Sequence, residues 1–91
     1  MKNIVKNLIK FIDHAKSFGI PEKDSENAEV FLKNNEFGLC FDTIITQLYE
    51  FDIEINEEFY LLADQIGRSL GLELETYSYI KELIKKYDDK L

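Results

Sequence analysis

One cysteine, one proline, one methionine, one histidine, four glycines and no tryptophan occur among the 91 residues. The lone Cys40 excludes an intramolecular disulfide and a thiolate-rich zinc site. It also fits a reducing compartment, so the cytoplasm is the expected location. Long apolar runs are missing too: Phe59-Tyr60-Leu61-Leu62-Ala63 is among the longest, far short of the roughly 20 residues that span a bilayer. At the N-terminus Lys2, Lys6 and Lys10 interrupt the apolar residues. A signal peptide needs an unbroken apolar stretch, so no export signal is expected.

The most telling absence is of positive charge. From Asn34 to Gly67 there is no Lys or Arg, while Glu36, Asp42, Glu50, Asp52, Glu54, Glu57, Glu58 and Asp64 contribute −8. The other 57 residues carry 10 acids against 11 bases, so the net charge of −7 belongs to this one segment. Nucleic acid is thereby disfavoured as a direct ligand, because phosphate contacts need clustered Lys and Arg.

What is present describes a single domain over residues 1–91. The chain is 45% hydrophobic and 32% charged, too apolar for disorder and too short for two cores. A chain of this size buries only roughly 60–65% of its unfolded surface, so a partner adds usefully to its stability. Apolar spacing predicts an all-α bundle of about five short helices. Ile4, Val5, Leu8, Ile9, Phe11, Ile12 and Ala15 mark the first, from about Lys2 to Phe18 with Gly19 and Pro21 ending it. Asp24 or Ser25 suits the cap of a second, with Ala28, Phe31 and Leu32 inward and Asn34-Asn35 at its close.

Glu36 suits the start of a third helix, with Phe37, Cys40, Phe41, Ile44, Ile45 and Leu48 as its stripe. Phe51 to Ile55 alternates with period two and is expected as an extended connector. Asn56 caps a fourth helix that buries Phe59, Leu62, Ala63, Ile66 and Leu70, leaves Glu57, Tyr60, Asp64 and Arg68 outside, and stops at Gly71. A fifth is expected from about Glu75 to Lys90, with Ile80, Leu83, Ile84 and Tyr87 inward and Lys81, Lys85, Lys86 and Lys90 near its C-terminal end.

Chemistry finds little to build on, and no enzyme activity, metal or cofactor is expected. His14 has no strained nucleophile turn beside it, and Cys40 sits on an apolar stripe without the positive neighbours that make a reactive thiolate. Asp52-x-Glu54-x-Asn56 opens like a calcium loop, but Glu57 stands where that loop needs glycine and Ala63 where it needs glutamate. One histidine cannot supply the paired Glu-x-x-His motifs of a di-iron bundle. The lysine-bearing first helix has the apolar face of any core helix, and with the whole chain acidic no membrane contact is expected.

A run of acids is ordinarily a solvated face. Here sign segregation persists over 34 residues, and Tyr49, Phe51, Ile53 and Tyr60, types that anchor interfaces, are interleaved with the acids. A basic protein is the natural counterpart. The face expected to meet it comprises Asp42, Tyr49, Glu50, Asp52, Glu54, Glu57, Tyr60 and Asp64.

The segment Asn34-Asn35-Glu36-Phe37-Gly38-Leu39-Cys40-Phe41-Asp42, continuing through Leu48-Tyr49-Glu50-Phe51-Asp52-Ile53 and Ile55 into Glu57-Glu58-Phe59-Tyr60 and then Leu70-Gly71-Leu72, resembles the MafI-type immunity proteins of bacterial toxin systems. It is also similar to some immunity proteins of contact-dependent growth inhibition. The likeness covers about Ala28 to Ile84. It implies a cytoplasmic antitoxin that forms a heterodimer with the C-terminal domain of a secreted or surface toxin, typically a nuclease, with an RNase as the expected activity. A helical adaptor or regulatory module without a toxin partner is the alternative.

Overall fold

A computed structural model describes residues 2–85, and four α-helices account for most of them: α1 (Lys2–Phe18), α2 (Glu22–Lys33), α3 (Phe37–Glu50) and α4 (Glu57–Ser69). Two 3-10 segments follow, Leu74–Thr76 and Ser78–Leu83. The all-α bundle expected from periodicity is what forms. Among the described residues no helix is long and apolar enough to cross a membrane.

All four helices end by the same device. The residue after the cap turns into, or next to, the left-handed region (Gly19 φ 107°, Asn35 φ 62°, Asp52 φ 51°, Gly71 φ 72°). The following N–H then reaches back to an orphan carbonyl: Ile20 to Ala15 (3.1 Å), Glu36 to Phe31 (2.8 Å), Ile53 to Leu48 (3.0 Å) and Leu72 to Gly67 (3.0 Å). This is the Schellman arrangement, which lets a short helix stop abruptly with its last carbonyls satisfied.

Helix beginnings are less uniform. Asn56 caps α4 as expected, accepting the Phe59 N–H at 2.8 Å. The cap expected at Asp24 or Ser25 lies elsewhere: Pro21, with φ −56° already set by its ring, accepts the Asp24 and Ser25 N–H groups, so α2 starts earlier, at Glu22. Ser25 is buried inside the helix and donates to the Glu22 carbonyl, while Asp24 accepts from Gln47 Nε2 at 3.0 Å and ties α2 to α3.

An aromatic chain crosses the core. Phe18 meets Phe59 edge-on, Phe59 stacks on Phe11 (4.6 Å), Phe11 lies 5.2 Å from Phe41, and Phe41 meets the edge of Tyr77. Phe11 is fully enclosed at the centre. Of the expected α1 stripe, Ile9 is exposed instead, since it lies off the face formed by Ile4, Leu8, Phe11 and Ala15.

Two expectations for the connecting and final segments need correction. Phe51 and Asp52 are not extended but form the turn that closes α3, their N–H groups donating to the Gln47 and Tyr49 carbonyls; Ile55 then makes a single parallel bridge to Ile84, its N–H donating to the Leu83 carbonyl at 3.0 Å. The expected fifth α-helix is the pair of 3-10 segments, with Ile84 extended. The reason is visible in the buried residues Tyr77, Ile80 and Leu83. Their spacing of three matches a helix with three residues per turn, which aligns them on one face, whereas an α-helix fans them apart. Lys86, Tyr87 and Lys90 of that expectation lie outside the described residues.

Candidate functional site

The C-terminal turn of α3, its connector and the first turn of α4 form one end of the bundle. Glu50, Asp52, Glu54, Glu57 and Glu58 are all exposed there, and the exposed rings of Tyr49 and Phe51 stand among them. Among the described residues the two ion pairs are Lys16–Glu29 and Arg68–Asp64, so neither engages these five acids.

Four of the five carboxylates sit in two electrostatic settings, with Glu54 in the connector between them. Glu57 and Glu58 occupy the first turn of α4, where free N–H groups favour negative charge. Glu50 and Asp52 lie at the carbonyl end of α3, where the helix dipole opposes them and no basic residue stands in the last turn. Asp52 is also held in the left-handed region, a conformation costing a side-chain-bearing residue about 1 kcal/mol. The free fold thus carries a local electrostatic and backbone cost at this end.

Tyr49 links this end to the last 3-10 segment. Its hydroxyl donates to Glu82 Oε1 at 3.0 Å, and its ring lies 4.8 Å from that of Tyr79. The bond to Glu82, followed by that carboxylate's charge, raises the Tyr49 pKa. Glu82 therefore adds a sixth acid to the end. It was absent from the expected site because a contact 33 positions away in sequence has no local pattern to announce it.

Tyr49, Glu50, Asp52, Glu54 and Glu57 thus come together; the other three expected residues do not join them. Asp42 is exposed but lies eight residues before Glu50, about 12 Å along the helix, on the wall of a separate groove. Tyr60 is a correction. It is 7% exposed, packs its ring 6.5 Å from Tyr77, and carries Lys81 Nζ 5.4 Å above its face. Helix α4 buries a second stripe, through Tyr60, Ala63 and Gly67, because the 3-10 segments cover a side that a one-faced amphipathic helix leaves open.

Asp64 is likewise committed within the fold. The Tyr77 hydroxyl donates to its Oδ1 at 2.7 Å and Arg68 Nε to its Oδ2 at 3.0 Å. These bonds hold its carboxyl below the usual range, that of Tyr77 contributing most. Burial, then the bond to Asp64, pushes the Tyr77 hydroxyl up to about 12. Gly67 makes this arrangement possible, since a β-carbon there would overlap the Tyr77 ring.

Two other groups considered for chemistry have ordinary surroundings. Cys40 is fully enclosed, and burial, with a smaller effect from Glu29, pushes its thiol up to about 11, away from thiolate reactivity. His14 is exposed on a depression of about 370 Å³ between α1 and α4, beside Lys10, Phe18 and Glu58. Among the described residues no group of three or more His, Cys, Asp and Glu side chains is placed to hold a metal ion.

No family model, curated protein or solved structure matches the chain.

Proposed function

We propose that the chain is a stoichiometric inhibitor of the immunity-protein type, which binds a basic toxin domain, an RNase by preference, through the end that carries Tyr49, Glu50, Asp52, Glu54 and Glu57. One observation carries the reading: these acids are exposed together, without ion-pair partners among the described residues, and two of them, Glu50 and Asp52, stand at a helix terminus that disfavours them. A cationic partner relieves that cost on docking, and the exposed rings of Tyr49 and Phe51 offer the apolar contact that charge alone does not provide. The likeness of residues 28–84 to MafI-type immunity proteins supplies the toxin as the partner class. On this reading the carboxylates accelerate encounter and set orientation, and the toxin's cationic groove or its margin is what they cover.

Charge reversal tests it. The double variant Asp52→Lys/Glu54→Lys, assayed with a basic toxin domain that copurifies with the parent chain, is expected to associate roughly tenfold more slowly at low salt, the difference shrinking as salt rises. An unchanged association rate together with undiminished protection of cells would dismiss this surface. Copurification with the neighbouring gene product names the partner and its activity together.

A further inference from the structure

Away from the acidic end, a second concavity of about 370 Å³ runs between the first half of α3 and the turn after α4, lined by Leu39, Phe41, Ile45 and Leu72 with Asp42 at its edge. Leu39 is 51% exposed, as is Leu74 (52%) on the neighbouring turn. The Leu74–Thr76 segment packs on α4 and on the second 3-10 segment, and its Thr76 lines the concavity together with the α3 residues.

Gly38 lies in the same groove, and a comparison of the glycines isolates it. Gly19 and Gly71 adopt positive φ, and Gly67 lies under the Tyr77 ring. Gly38 is helical, and a β-carbon on it would meet nothing within 4 Å. Neither backbone conformation nor internal packing calls for glycine there, and helix propensity disfavours it. What its missing side chain does is widen the groove.

The charge around the groove selects the occupant, with Asp42 in its lining and the other acids on the segments that flank it. Residues 36–45 and 71–76 carry Glu36, Asp42, Glu73 and Glu75, all exposed, and no Lys or Arg. A second copy docking through the same groove would set four carboxylates against four, which is repulsive. We infer that this groove is a docking site for a cationic amphipathic helix of a partner protein, whose apolar residues at i, i+4 and i+7 occupy the space between Leu39 and Leu72 while its Lys and Arg meet Asp42 and the neighbouring glutamates. The span from Gly38 to Ile45 is two helical turns, about 10 Å, enough for three such anchors. The inference stands apart from the acidic end, with which it shares no residue.

The test is an amide NMR titration of the intact chain with a synthetic Leu/Lys amphipathic helix of about 14 residues, beside its Leu/Glu counterpart. The Leu/Lys peptide is expected to shift the amides of Gly38, Asp42, Ile45 and Leu72, and the Leu/Glu peptide to shift none. Gly38→Leu, which fills the groove, and Asp42→Lys, which reverses its charge, are each expected to weaken binding roughly tenfold, with the melting temperature not lowered and the rest of the spectrum retained. Absence of shifts in the groove overturns the inference, as does equal binding of the Leu/Glu peptide or occupation of the groove by a second copy before peptide is added. Shifts confined to residues 49–57 also overturn it, while leaving the reading of the acidic end standing.

Discussion

Helices α3 and α4 stop by the same backbone geometry with opposite side-chain chemistry. At the end of α4, Arg68 complements the dipole, Gly71 takes the left-handed residue without strain, and Asp64 is joined to Tyr77 and Arg68. At the end of α3, Glu50 opposes the dipole and Asp52 occupies the left-handed position. Local preference and global fold agree at the first end and conflict at the second. Such conflicts concentrate where a surface serves something other than its own folding, and the contrast separates the acids that hold this molecule together from those it holds out.

The largest expected effect comes from spoiling the consistent end. Gly67→Ala gains about 1 kcal/mol of helix propensity, yet its methyl group must displace the buried Tyr77 ring and with it the bond to Asp64. A net loss of about 2–3 kcal/mol is expected from overpacking, read as a lower urea midpoint. A neutral or stabilised variant would mean that the ring moves freely, and that Asp64 is as available as the acids of the other end.

Tyr77→Phe is the milder probe of the same bond, with an expected loss of about 1.5 kcal/mol near neutral pH. Its pH dependence is the sharper observable. Tyr77 holds its proton up to about 12 in the fold, above the roughly 10 of an unfolded tyrosine. Its contribution is therefore complete below pH 10 and lost as pH rises toward 12. Asp64 is depressed, so its contribution is complete above the ordinary carboxylate range and lost as pH falls through its lowered value. Urea midpoints measured across pH should show both losses in the parent and both reduced in Tyr77→Phe, the alkaline remainder coming from Tyr49 and Tyr60, whose hydroxyls are also raised.

These two sites also mark where the sequence could and could not be read. Helices α1 to α4 are legible because glycines, apolar spacing and the Asn56 cap are local, although α2 opens at Pro21 and not at Asp24 or Ser25; the charge segregation that outlines the acidic end is legible too. Tyr60 and Tyr77 are not. Tyr60 falls on the polar side of a helix assumed to bury one face, and only the 3-10 segments, arriving from later in the chain, give it a second. The period of three through Tyr77, Ile80 and Leu83 was present in the sequence, but Ile84 and the charged residues beyond it continue an α-helical pattern that masks it. Charge alone groups Asp42 with Glu50, although two turns of α3 separate them. Glu82 reached the acidic end only through the Tyr49 hydroxyl.

The smallest effect is the one that most directly contrasts the two ends. Both left-handed residues can be exchanged at little steric risk, since a β-carbon at position 71 meets nothing within 4 Å and Asp52 is exposed. Gly71→Ala should lose about 1 kcal/mol through backbone strain alone. Asp52→Gly should gain about 1 kcal/mol by removing both that strain and a charge opposed by the α3 dipole, less the entropy that glycine adds to the unfolded chain. If Asp52 serves a partner, the stabilised variant should also associate with it more slowly, so that stability and binding move in opposite directions at one residue. A gain in stability with an unchanged association rate would leave Asp52 as an unoptimised helix end. A loss of stability would mean that the Asp52 side chain supports the turn, and the contrast between the two helix ends would disappear.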